Sequence, residues 1–222
     1  MRKIDKSTNR STEYKKWEET LETSNSEHPE YTSNHKYYVD VVMSLLYIQD
    51  GLCAYTEQIL CDESFYDEKY WQNGRYKGKK IAFGELEHFD PTKKIKQAWL
   101  WDNFLVIDSQ VNRLKSDKPI SYLLKPDHPN YDPFKLLAYD IKEHIFIANP
   151  LDKSTTDTQK EEINRMLLEV FQINHPTIIR KRKDKLNPIL TEFRLFQAIE
   201  KSSKEFPTAF TMSIKILQEE KK

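Results

Sequence analysis

Residues 84–118 read GELEHFDPTKKIKQAWLWDNFLVIDSQVNRLKSDK, and the fold turns on them. IAFGELEHF (81–89) has the apolar, branched character of a strand and stops at Asp90-Pro91, a turn signal. WDNFLVID (101–108) reads as a second strand, introduced by the polar pair Asp102-Asn103. SQVNRLKSDK (109–118) reads as the first turns of a short helix with Ser109 as its N-cap. Folded as strand, loop, strand and helix, this segment brings Glu87, His88, Asn103 and Asn112 towards one point.

Working outward, residues 1–11 are polar. STEYKKWEETLE (11–22) predicts a short helix, and SNSEHPEYTSN (24–34) is turn chemistry around Pro29. From His35 to Gln49, Val39, Val42, Leu45, Leu46 and Tyr47 recur at roughly helical spacing, ending at Asp50-Gly51. LCAYTEQIL (52–60) is β-rich in part, and a polar aromatic loop follows it to Lys80. KLLAYD (135–140) and HIFIANP (144–150) predict a hairpin around IKE. Beyond it the pattern is helical. Ile163, Met166, Leu167 and Val170 share a face, with caps supplied by residues 154–158. A long helix opens at Pro176 and is kinked or split at Pro188, and a last helix covers FPTAFTMSIKILQEE. This gives an α+β chain in three parts: a helical region 1–51, a core 52–150 with an added hairpin, and a helical region 151–222.

The converging side chains can cut a phosphodiester. Water is a poor nucleophile near neutral pH, and a neutral imidazole takes its proton because the unperturbed pKa lies near 6.5. A divalent cation neutralises the phosphate and the leaving oxygen. The hard oxygens of a Glu carboxylate and an Asn carbonyl suit Mg²⁺. His88 is therefore the candidate general base, Glu87 and Asn112 are candidate metal ligands, and Asn103 is placed to fix the imidazole.

Composition narrows the classes. The chain has 222 residues, 35 Lys+Arg against 35 Asp+Glu, and a formal net charge of zero. That excludes a uniformly basic nucleic-acid binder and an acidic tail protein, but allows a local basic groove. Four Gly argue against a Gly-rich phosphate loop. No apolar run spans a bilayer and no secretory leader is expected, which points to the cytoplasm. Two cysteines, Cys53 and Cys61, make no disulfide framework.

The segment resembles the HNH (ββα-metal) endonuclease motif. The matching pieces are Glu87-His88, then Asp102-Asn103, then Asn112-Arg113-x-Lys115, with 15 residues from His88 to Asn103 and nine more to Asn112. DNFLVIDSQVNRLKSDK is especially similar to the HNH domain of CRISPR effector nucleases. LCAYTE, LEHFDP, WDN, NRLKSD and the FQINHPTIIRKR region resemble the PtuB-like nucleases of Septu and retron antiphage systems, over roughly 50–185. The resemblance implies a ββα-metal module embedded in helices from both ends. It implies that Glu87 and Asn112 hold Mg²⁺ or another divalent cation such as Mn²⁺, that His88 is the base and that Asn103 orients it. It implies partners: a PtuA-like ATPase, a DNA or RNA substrate, and in retrons a reverse transcriptase with its DNA product. Glu87 stands where Asp is more usual. Relatives often carry a structural zinc site built from two CxxC pairs. Here Cys53 is present, Thr56 replaces its partner, and Asp108 and Val111 fill the other positions, so no structural zinc is expected.

Other residues carry two readings. Arg113 and Lys115 either meet phosphate charge or form a solvated helix face. Lys93, Lys94 and Lys96, in the loop between the motif strands, either line a nucleic-acid track or are simply solvated, as are Lys79-Lys80 and Arg180–Lys183. Glu57 is either a supporting group at the site or a capping carboxylate. Asp108 caps the helix, with a metal role as the alternative. Trp99, Trp101 and Phe104 read as core rather than as base-stacking platforms. Set against the nuclease are an inactive adaptor of the same fold, binding nucleic acid or the ATPase, and a zinc-structured binding module.

Overall fold

The computed structural model of the chain describes residues 1–79, 83–196 and 203–220. It is α+β, with helices and three separate two-stranded antiparallel sheets. The chain divides into two units that do not follow the three consecutive segments expected from the sequence. One comprises Ile4–Ala54 and Ile59–Ile120; the other comprises Met1–Lys3, Tyr55–Gln58 and Ser121–Lys222.

In the first unit, α1 (Thr12–Thr23) and α2 (Tyr38–Ile48) form where the sequence predicts helices. α2 is buried on nearly every side, as its run of apolar residues requires. It ends at Asp50-Gly51, both at positive φ. A Cβ on Gly51 would stand 2.2 Å from the Cys61 carbonyl oxygen, so the turn needs glycine for space as well as for φ. Asp40 reaches from α2 to the backbone N–H of Tyr76 and to Arg75. Those two residues form β2 (Arg75–Tyr76), which pairs with β1 (Trp71–Gln72) across an Asn73-Gly74 turn. This small hairpin lies where the sequence predicts only loop.

The central pair is β3 (Gly84–His88) and β4 (Phe104–Asp108), in register from Gly84↔Asp108 to His88↔Phe104. Helix α3 (Ser109–Lys115) follows β4 without a break. Its N-cap is Asp108 rather than Ser109, through bonds from the backbone N–H groups of Gln110 (2.8 Å) and Val111 (3.2 Å). The expected second strand is shorter at its start, because Trp101–Asn103 form a 3₁₀ turn. Residues 81 and 82 of the expected first strand lie outside the described residues, as does Lys80. α2 and α3 both pack on the hairpin. Gln49 seals β4 from α2: its amide oxygen accepts from Val106 N–H and its NH₂ donates to Val106 O.

The LCAYTEQIL stretch is not a strand. It contributes a single bridge, Leu52↔Ile59, because Tyr55–Gln58 leave the first unit and Glu57 sits at φ 61°.

In the second unit, α4 (Pro133–Leu136) leads into β5 (Leu137–Asp140), which pairs with β6 (Ile145–Ala148) as expected. α5 (Asp157–Arg165) starts in a capping box formed by Thr156 and Gln159 and ends in a π turn, Met166–Val170. α6 (Pro176–Phe196) runs through Pro188 without splitting, and α7 (Pro207–Glu219) closes the chain. Buried Arg182 donates to the carbonyls of His144 and Ile173, and Tyr139, His144 and Asn187 form a hydrogen-bonded row. Glu57 is held here by the Met1 α-amino group (3.0 Å) and by Thr208.

Candidate active site

Strand β3 places its side chains alternately, so Glu85 and Glu87 share one face while Leu86 and His88 share the other. β4 pairs only one edge of β3. All four of these consecutive residues line one groove of about 700 Å³, which only the unpaired edge of a strand can present. The groove is completed by Tyr31, Ser33 and Tyr38 from the N-terminal part of the unit, Pro91 and Lys94 from the loop, and Asn112, Ser116 and Asp117 from α3 and its end.

His88 is buried at the end of β3. Its Nε2 lies 2.9 Å from the Ala98 carbonyl oxygen, which can only accept, so Nε2 carries the proton and Nδ1 the lone pair. Tyr31 stands edge-on to the ring at 4.8 Å and Phe104 packs at 4.9 Å. Burial pushes the imidazole pKa down to about 4; Lys94 and Lys115 push it the same way, against the Ala98 carbonyl. The ring is therefore neutral near pH 7.

Asn103 does not touch the imidazole through any bond of its own. Its amide accepts from Asp90 N–H (2.8 Å) and donates to Asp90 O (2.9 Å), while its carbonyl accepts from Phe89 N–H (2.8 Å). It pins the chain just after His88, and Ala98 holds the ring.

On the opposite face, Glu87 is buried and ion-paired to Lys115, Nζ to Oε1 at 2.6 Å. Lys115 is itself buried and also donates to the His88 carbonyl at 3.2 Å. Expected to face phosphate, it is turned inward instead. Asn112, half-buried on α3, donates from Nδ2 to Glu85 Oε2 at 3.1 Å. Arg113 is exposed, bonded to the Ser109 carbonyl and absent from the groove lining. Of the loop lysines, Lys94 lines the groove, with Nζ 5.2 Å from the Tyr31 ring centroid. Lys93 and Lys96 line a different groove with Glu22, Glu27 and His28. Asp108 is the helix cap, Glu57 belongs to the other unit, and Trp99 and Phe104 are core.

Sequence reasoning missed Glu85 and Tyr31. Glu85 had a signal: it stands two residues before Glu87, hence on the same strand face. Tyr31 had none, because it lies in turn-like sequence distant from the motif.

The donor chemistry of Glu85, Glu87 and the Asn112 amide is all hard oxygen, which suits a small divalent cation completed by water and phosphate. Among the described residues no three His, Cys, Asp or Glu side chains converge as a preformed metal cluster. Cys53 and Cys61 are buried thiols outside any disulfide, and Cys53 Sγ accepts from Asp108 N–H at 3.4 Å. Compared with protein-family models, with curated proteins and with solved structures, the chain has no match in any of the three. No helix among the described residues is long and apolar enough to cross a membrane.

Proposed function

We propose that this chain is a metal-dependent endonuclease of the HNH (ββα-metal) type that hydrolyses nucleic-acid phosphodiesters. The observation that carries the reading is the convergence of His88, Glu87 and Asn112 on one groove, achieved by an antiparallel hairpin that runs directly into a helix. In this reading His88 Nδ1 accepts a proton from water as the water oxygen forms a bond to phosphorus and the bond to the leaving sugar oxygen breaks, that oxygen then taking a proton from solvent. The Ala98 carbonyl fixes the tautomer, and Asn103 fixes the backbone on which the ring is carried. Glu87 and Asn112, with Glu85 beside them, would hold the Mg²⁺ or Mn²⁺ ion that supplies charge neutralisation at the phosphate. Lys94, at the groove wall, adds a contact to the nucleic-acid backbone.

The test is cleavage of a panel of single- and double-stranded DNA and RNA, tRNA included, with Mg²⁺ or Mn²⁺. His88→Ala should lower the rate by about 10²-fold or more while circular dichroism stays unchanged. Equal cutting by parent and variant would remove His88 as the base. The resemblance extends the reading to a bacterial antiphage effector working with an ATPase and, in a retron, with reverse-transcribed DNA; co-purification with an ATPase encoded beside it tests that part.

The Lys115–Glu87 ion pair favours a second reading, an adaptor of the same fold that binds nucleic acid or the ATPase without cutting. Calorimetry with Mn²⁺ separates the two. A nuclease binds the ion and loses it in Asn112→Ala; an adaptor shows no binding in either protein.

A further inference from the structure

Lys115 is a cation built into the candidate site. Its ammonium touches a Glu87 carboxylate oxygen at 2.6 Å and the His88 carbonyl at 3.2 Å. Lys115 is 1% exposed and Glu87 2%, so the pair is shielded from solvent and counter-ions. A carboxylate so buried needs a compensating charge, and here the chain provides it from its own α3.

We infer that Lys115 is a resident counter-ion that competes with a divalent cation for Glu87, so that metal loading requires its ammonium to give way. The inference rests on the nuclease reading of this groove and adds its regulation. Two cations beside one buried carboxylate repel each other strongly where water is scarce. The metal-free site is thus self-neutralised and weak for metal. A phosphodiester in the groove supplies the negative charge that takes up the ammonium displaced from Glu87, which couples metal binding to substrate binding. The His88 carbonyl is the second anchor. Releasing it as the ammonium moves would let the strand end that carries the imidazole adjust at the same moment.

The test is Mn²⁺ binding by calorimetry, with the Mn²⁺-induced rise in melting temperature as a second readout, in the full chain. Lys115→Met keeps the aliphatic volume and removes the charge. It should melt lower without metal, bind Mn²⁺ about tenfold tighter than wild type, and gain more melting temperature on adding the ion. Glu87→Gln and the double variant should both bind weakly. If Lys115→Met binds no tighter than wild type while Glu87→Gln loses binding, Lys115 is a structural partner only and the inference fails. If neither wild type nor Lys115→Met binds Mn²⁺, the metal-site reading itself fails. Should Lys115→Met not fold, the wild type decides by ¹⁵N NMR of its lysine ammonium groups. The protected Lys115 signal should vanish on saturation with Mg²⁺ and substrate-length DNA, and its persistence under saturation would overturn the proposal.

Discussion

His88 and Glu18 show burial acting on single side chains in opposite senses. The imidazole is driven towards its neutral form, which is the form a base needs. Glu18, on α1, is buried against the Trp101 backbone N–H, and burial raises its carboxyl pKa to about 7, against the Trp101 bond and helped by Glu22. An acid whose folded value exceeds its unfolded one holds its proton better in the native state. Stability is then full below about pH 4.5 and declines as pH rises towards 7. Glu18→Gln keeps the accepting oxygen and removes the charge. Its advantage over wild type should grow from nothing at pH 4 to about 3 kcal/mol at pH 8, read by urea denaturation across that range. At this scale the sequence names residue types that could share a site, and Glu87, His88 and Asn112 do line one groove. It was silent on Tyr31 and on the Ala98 carbonyl, because backbone acceptors and packing partners leave no mark in residue identity. Lys115 shows the same limit: a lysine after an asparagine on a helix is read as solvated until a buried carboxylate is seen beneath it.

Among the elements, α3 depends most on one residue. Seven residues cannot hold a helix by propensity alone, so the cap at Asp108 and the packing on β3 decide whether Asn112 and Lys115 stay in place. Asp108→Ala should cost about 1 kcal/mol in urea denaturation, and Asp108→Asn, which keeps an accepting oxygen, should cost less. Helices with clear periodicity were legible: α1, α2, α5 and α7 start within a few residues of where their patterns place them. The β1–β2 hairpin was not read, although Asn73-Gly74 is a strong turn signal; strands of two residues are too short to show alternation. Pro188 was expected to kink or split the helix, and α6 runs through it without splitting. LCAYTEQIL, β-rich in part, contributes only the Leu52↔Ile59 bridge, and four of its residues serve the other unit. That is a tertiary demand no local pattern carries.

For the whole molecule, three consecutive parts are expected along the chain, and its two compact units are built from alternating segments: residues 1–3 and 55–58 group with residues from 121 onward. Glu57 is the fastener of that arrangement. Its carboxylate takes the Met1 ammonium and the hydroxyl and N–H of Thr208, and its carbonyl takes Phe206 N–H. Glu57→Ala leaves a buried positive charge unmatched and should lower stability by about 3 kcal/mol or more, measured by thermal and chemical unfolding. Retention of wild-type stability would mean that the ion pair is dispensable.

The alternation of segments also has a topological consequence. Residues 55–58 are flanked on both sides by residues of the other unit, so no single cut of the backbone yields either unit as one continuous piece. A fragment ending at residue 120 would keep the hairpin and its helix but would part Glu57 from Thr208.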